Sequence, residues 1–194
     1  MVRIGTKLVP IRTNSRPTMN LYLRLLWALW RAWRQPRIQP GDTIERTFRV
    51  LPNDLDLNGH MNNGRYLTML DLMLIEYFVR FGFFGLMIKQ GWRPMAGGSF
   101  ITYRRGLKPF QRYTLRFRTE GSNEHWNFMR FEFHDGERLC AAGYVKGAVV
   151  GKRGLVPNAQ SCALLGWEQD TRVPTPVAHW LAGEEALMAQ PWHA

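Results

Sequence analysis

Asp54-Leu55-Asp56-Leu57-Asn58-Gly59-His60-Met61-Asn62-Asn63-Gly64-Arg65-Tyr66 is the stretch on which the reading of this chain turns. It sets two carboxylates on a loop, supplies Gly59 as a hinge, and then opens a long apolar segment. The first four N–H groups of a helix have no intrahelical acceptor, and aligned peptide dipoles add partial positive charge at that end. A carbonyl oxygen gaining negative charge is stabilised by such donors. Either Asn62 or Asn63 suits the N-cap, because an Asn side chain accepts from an amide two or three residues on. The alternative is that Asp-, Asn- and Gly-rich stretches simply make turns and caps.

Outward from this stretch the periodicity is clear. Upstream, Thr43 to Val50 alternates, with Ile44, Phe48 and Val50 on one face and Thr43, Glu45, Thr47 and Arg49 on the other, the mark of a half-buried strand. Downstream, Leu67, Leu70, Leu74, Phe78 and Phe81 recur at threes and fours, predicting a helix from Gly64 to about Phe81 that is about 27 Å long. Its apolar arc is wide, so it is expected to lie against a sheet. Gly82, Gly85 and Gly91 are read as its end and a loop. Strands are predicted over 100–105, 113–119, 127–134 and 139–150. Asp135-Gly136 makes a hairpin turn, and 139–150, apolar on both faces apart from Lys146, forms a central strand. One strand, a long helix and four strands with short connections give α+β architecture with an antiparallel sheet.

The pattern Asp-x-Asp-x-x-Gly-His-Met-Asn-Asn-x-x-Tyr, placed between strand and helix, resembles the signature of hotdog-fold acyl-CoA thioesterases of the 4-hydroxybenzoyl-CoA thioesterase type. Within that superfamily it is similar to the branch typified by thioesterase superfamily member six. The likeness continues through Tyr103-Arg104-Arg105-Gly106-Leu107-Lys108-Pro109-Phe110 and Trp126 and covers roughly residues 43–157. The resemblance implies a curved antiparallel sheet wrapped around a long central helix, and a homodimer or higher oligomer. It also implies hydrolysis of acyl-CoA thioesters, with coenzyme A entering only as part of the substrate. Asp56 would be the nucleophile or general base, and the amides near Asn63 and Gly64 the oxyanion site. Gly59, His60, Met61, Asn62 and Tyr66 are assigned to substrate binding, with His60 shaping the loop rather than carrying protons. Asp54 is expected to brace the loop. Asp71 and Glu76 are noted because some hotdog thioesterases carry the working carboxylate on the helix, but Glu76 has Arg80 four residues on as an ion-pair partner.

Arg104, Arg105 and Lys108 form a basic patch suited to the phosphates of coenzyme A, although a solvated strand end would look the same. Two other functions stay open: a non-catalytic acyl or lipid-binding module at a membrane, and an enoyl-CoA hydratase. The hydratase signature resembles Asp-x-Asn-Pro-x-His. Here Asp56-Leu57-Asn58-Gly59-His60 lacks the proline and brings the histidine one residue early.

Composition bounds the rest. The 194 residues, 45% hydrophobic, suit one domain with extensions, divided here as 1–40, 41–157 and a tail 158–194 that packs on the domain. Up to Pro40 there are eight Lys and Arg and no Asp or Glu, which supplies most of the formal net charge of +11. With that charge confined to the leader and no recognition motif, nucleic acid is not an expected partner. Residues 20–37 hold Arg24, Arg31 and Arg34 among Trp27, Trp30 and Trp33. Too short and too charged to span a bilayer, this segment suits either a membrane surface or docking on the domain with solvated arginines. Met19 is a candidate start. The two cysteines fit a reducing cytoplasm, with a peripheral position on the inner membrane face as the variant. The scattered histidines predict no metal.

Overall fold

The computed structural model describes residues 19–190, with side chains from Leu23 onward; residues 1–18 of the basic leader thus lie outside the described residues, and the candidate start Met19 is the first residue described. Helix α1 (Met19–Arg34) is followed by strand β1 (Ile44–Arg49), helix α2 (Asn63–Arg80) and helix α3 (Phe83–Gln90). Strands β2 (Arg93–Tyr103), β3 (Arg112–Ser122), β4 (Asn127–Asp135) and β5 (Arg138–Gly151) come next, then a two-residue β6 (Gly154–Leu155) and helices α4 (Asn158–Leu165) and α5 (Thr175–Met188).

The strands form one antiparallel sheet in the order β1-β3-β4-β5-β2, with β6 on the end of β5. A single row of paired positions, Ile44, Phe117, Phe131, Gly143 and Ile101, crosses all five strands. Gly143 is required there, since a Cβ would lie 2.0 Å from the Phe100 carbonyl oxygen. Helix α2 lies across this face. Its Tyr66, Met69, Leu70, Met73 and Tyr77 join Leu115, Phe117, Phe131 and Phe133 in the main core. The wide apolar arc read from the sequence is thus the face the sheet covers, and the result is the hotdog arrangement. On the sheet's other face, Val177 and Trp180 of α5 pack against Phe100, Phe128 and Tyr144.

Three sequence expectations change. The loop expected after Phe81 is helix α3: Gly82 and Gly91, both at positive φ, flank it rather than interrupt it. Phe83 and Met87 anchor it on Phe78 and Val149. Strand β2 starts seven residues before the expected Phe100, and a register shift between Ala96 and Gly98 lets its glycine pair lie under Trp126 and Trp180. Finally, α1 does not carry all its arginines in solvent. Its docked side is Ala28 and Ala32, and Arg24 reaches a buried carboxylate, while Leu23, Leu26, Trp27, Trp30 and Trp33 face outward, more than half exposed.

Candidate functional site

The signature loop is a miniature hairpin closed from both sides. A single bridge pairs Leu55 with Met61, the Asp56 amide donates to the His60 carbonyl at 2.8 Å, and the Asn62 amide donates to the Asp54 carbonyl at 2.8 Å. Gly59, at φ +72°, sits where the chain reverses, a backbone region that side chains resist. The hairpin is fastened to the β2–β3 connection by the Met61 amide, which donates to the Leu107 carbonyl at 2.8 Å.

Asp54 braces the base of this hairpin. It is 1% exposed, accepts from the Leu51 amide at 2.9 Å and receives both Arg24 Nη atoms, with Arg65 Nε 3.8 Å away. Asp56 points the other way round the loop. Its Oδ1 accepts from the amides of Asn58 at 2.9 Å and His60 at 3.2 Å, and no hydrogen bond reaches Oδ2 among the described residues. One oxygen is held and the other is not.

The hairpin delivers the chain directly into α2. Asn62 is the N-cap: its Oδ1 accepts from the Gly64 amide at 2.9 Å and its carbonyl from the Arg65 amide at 2.8 Å. The Gly64 amide assigned to an oxyanion is therefore already taken by the cap, because a short Asn side chain at this position folds back on the second amide. The Asn63 amide has no acceptor among the described residues. Asn62 serves the helix rather than a ligand, and Met61, 2% exposed in the main core, has no surface left for substrate.

Tyr66 stands behind this end of the helix, its ring edge-on to Tyr103 at 5.1 Å and to Phe133 at 4.8 Å. Burial pushes its hydroxyl up to about 12, with Cys140, Tyr103 and Asp56 adding smaller contributions of the same sign, which places the Asp56 carboxylate within electrostatic reach. Tyr103, at the end of β2, donates its hydroxyl to the Asn63 carbonyl at 3.2 Å. Sequence reasoning gave Tyr103 no role, although it heads the very run that carried the resemblance. His60 lays its ring over Gly106, where a Cβ would come within 2.7 Å of it, so the loop-shaping role has a physical basis.

Beside the hairpin lies an open groove of about 550 Å³ lined by Arg105, Lys108 and Arg138 with Asp135, Gln111 and Cys140. Arg105 and Lys108 come together there as expected. Arg104 is not among the lining residues; its amide and that of Arg105 both donate to the Cys140 carbonyl. Arg138 was not foreseen, yet the Asp135-Gly136 hairpin turn brings it into reach.

On the body of α2, Glu76 is an internal ion-pair partner. Buried at 3% exposure, it takes Nε and Nη2 of the equally buried Arg46, together with Arg80 Nη1 at 3.2 Å. Asp71 differs. It lies on the open side of the helix at the edge of a cavity of about 690 Å³, and the crowding walls raise its carboxyl above the ordinary range. Among the described residues no three His, Cys, Asp or Glu side chains converge as a metal site would require.

Comparison with known proteins agrees with this geometry. The family model of the thioesterase-like superfamily matches residues 50–181. Protein THEM6 of Xenopus laevis is 41% identical over 145 residues, covering 73% of this chain and 68% of that protein. Protein THEM6 of Danio rerio is 29% identical over 137 residues, covering 66% and 67%. Among solved structures, a probable thioesterase from Bartonella henselae superposes with a TM-score of 0.54 at 20% identity, covering 60% of this chain and 98% of its own. A 1,4-dihydroxy-2-naphthoyl-CoA thioesterase from Synechocystis gives 0.55 at 13% identity, covering 64% and 95%. The likeness to these two structures is one of fold. With the signature loop, the helix it feeds and the matched family model in agreement, the chain belongs to the thioesterase-like superfamily.

Proposed function

We propose that the protein hydrolyses acyl-CoA thioesters at the junction between the signature hairpin and α2. The observation that carries this reading is one short hairpin holding both an Asp56 Oδ2 that accepts no hydrogen bond and the entry to a helix whose Asn63 amide lacks an acceptor, among the described residues. The thioester carbonyl oxygen takes the Asn63 amide and the dipole of α2, and its charge is stabilised as the carbonyl carbon becomes tetrahedral. Asp56 either removes a proton from the attacking water or itself attacks the carbon, forming an anhydride that water then opens. By both routes the carbon–sulfur bond breaks, the thiolate leaves and is protonated, and free acid is the other product. Solvent oxygen found on Asp56 after single-turnover hydrolysis in heavy-oxygen water identifies the nucleophilic route, because it enters the enzyme only when water opens an anhydride at the Asp56 carbon. The adenosine phosphates are assigned to Arg105, Lys108 and Arg138.

The functional unit is read as a homodimer. Strand β2 is an 11-residue, mostly exposed sheet edge with no strand on its outer side among the described residues, and such an edge invites pairing with another strand. A second feature favours work at a lipid surface. The outward row of Leu23, Leu26, Trp27, Trp30 and Trp33 on α1 lies beside Arg31 and Arg34, whose guanidinium groups sit 5.3 Å and 4.5 Å from the Trp27 and Trp30 rings. Indoles and arginines in that arrangement suit an anionic membrane boundary, and no described helix is long and apolar enough to cross one. Cytoplasmic residence on the inner membrane face is the compartment this reading implies, and lipid metabolism the setting.

Release of free thiol from a panel of acyl-CoAs tests the activity. Steady release above the no-enzyme rate supports it; a purified, folded dimer that releases none from any member overturns it in favour of a non-catalytic acyl-binding module.

A further inference from the structure

The cavity of about 690 Å³ beside α2 has no part in the chemistry described so far. Its walls are largely apolar: Leu74, Ile75 and Phe78 from the helix, Met129 and Val145 from the sheet, and Trp167 from the C-terminal segment. Trp167 stacks on Phe81 at 5.8 Å and forms the wall beside the C-terminal end of α2. The polar groups in the walls are largely spent on one another. Tyr77 and Thr119 share a hydrogen bond, Ser122 donates to the Asp170 carbonyl and accepts from Gln169, Asp170 holds Arg172, and Asn127 donates to Asn158. Such walls favour a ligand by apolar area rather than by hydrogen bonds.

The cavity shares a helix face with the thioester site. Gly64, Leu67, Asp71, Leu74 and Phe78 follow one another at three- and four-residue steps, so they form one stripe along α2. Asp71 is the cavity residue nearest the helix N-terminus. Leu74 lies about 15 Å and Phe78 about 21 Å further along the axis than Gly64. A single-ring acyl group held by its carbonyl at Asn63 stops short of these side chains, whereas a long alkyl chain laid along the stripe reaches them.

We infer that this cavity is the acyl-chain site and that the substrates are long-chain aliphatic acyl thioesters, with Leu74 and Phe78 of α2 and Ala96 of β2 setting chain length. The inference rests on the thioesterase reading for its reaction, but the cavity can be assayed separately.

Two measurements on the full-length wild type are compared with Leu74→Trp and Ala96→Trp, which fill the cavity from different elements. In the first, kcat/KM is measured from butyryl-CoA to hexadecanoyl-CoA and for benzoyl-CoA. It is expected to rise by up to about fourfold per methylene until the cavity is full, with benzoyl-CoA well below hexadecanoyl-CoA. Each tryptophan should lower the hexadecanoyl-to-butyryl ratio by about tenfold or more, the equivalent of about two lost methylene contacts. In the second, binding of the fluorescent fatty acid cis-parinaric acid should saturate on the wild type and weaken in both variants. Thiol release with no preference for longer chains, or tryptophans that alter neither the ratio nor the binding, overturns the chain-length assignment and leaves thioester hydrolysis standing. Saturable parinaric acid binding weakened by both tryptophans, with no thiol released from any substrate, overturns the hydrolase reading and leaves the cavity assignment standing.

Discussion

Arg24 of α1 grips Asp54 with both Nη atoms, at 3.3 Å to Oδ1 and 3.1 Å to Oδ2, thirty residues apart in sequence. Asp54 is the residue on which the signature hairpin closes, so the N-terminal helix and the proposed reaction loop share one buried carboxylate. Removing one partner of a buried pair leaves an uncompensated charge, a loss of about 3 kcal/mol. Arg24→Ala is expected to lower the unfolding free energy by about that amount in urea titration. A loss within the range of exposed surface pairs, below about 1 kcal/mol, would show that Arg65 alone satisfies Asp54.

Arg46 and Glu76 form a second buried pair, between β1 and α2, and Arg46 Nη1 has no hydrogen-bond partner among the described residues. Such pairs are costly to break yet often dispensable when both members are replaced by apolar groups of similar volume. Glu76→Leu is expected to destabilise by about 3–5 kcal/mol, and Arg46→Leu/Glu76→Leu to recover most of that loss. A double variant no more stable than the single one would mean that the pair holds the fold through geometry that packing cannot replace.

The buried tyrosines give stability an alkaline limit. Burial raises the hydroxyls of both Tyr66 and Tyr77 to about 12 from the ordinary value of 10.0. The unfolded chain therefore loses these protons first, and the stability they contribute is present below pH 10 and falls away as pH rises from 10 toward 12. Each contributes on the order of 3 kcal/mol at most. Unfolding followed in denaturant across this range should show the decline, and Tyr77→Phe should flatten it. A stability profile level from pH 9 to 12 would contradict the burial of these hydroxyls.

Charge in the groove beside the hairpin should be felt only by substrates that carry phosphates. Arg105→Ala and Arg138→Ala are each expected to raise KM for acyl-CoA about tenfold, the loss of one charge-assisted contact. KM for the matching acyl-N-acetylcysteamine thioester, which lacks the nucleotide, should stay unchanged. Equal effects on both thioesters would assign these arginines to the loop instead.

Much of the architecture could be read from periodicity. Tyr113, Leu115 and Phe117 alternate in sequence and are all buried in β3, and the helix expected from Gly64 begins one residue earlier, at Asn63. What escaped has local causes. Gly82 and Gly91 resemble loop punctuation whether they interrupt a helix or flank one, so α3 was hidden. Arg46 shares the inward parity of Ile44 and Phe48 in β1, yet its charge argued against burial, and only the long-range partner Glu76 accounts for it. At the site, the loop and helix start were legible because turn and cap chemistry is local, down to Asn62 as a candidate cap. Which amide the cap consumes depends on one side-chain rotamer, and Arg138 joins the groove only through the β4–β5 pairing.

The central claim is that the Asp56 carboxylate performs the chemistry. The direct measurement is thiol release from acyl-CoA by Asp56→Asn beside the wild type, with thermal melting of both. Asparagine keeps the oxygen that accepts from the Asn58 and His60 amides but can neither take a proton nor attack as a carboxylate. The expected result is an unchanged melting temperature and a fall in kcat of about a hundredfold or more. Undiminished turnover by a folded Asp56→Asn protein would contradict the account.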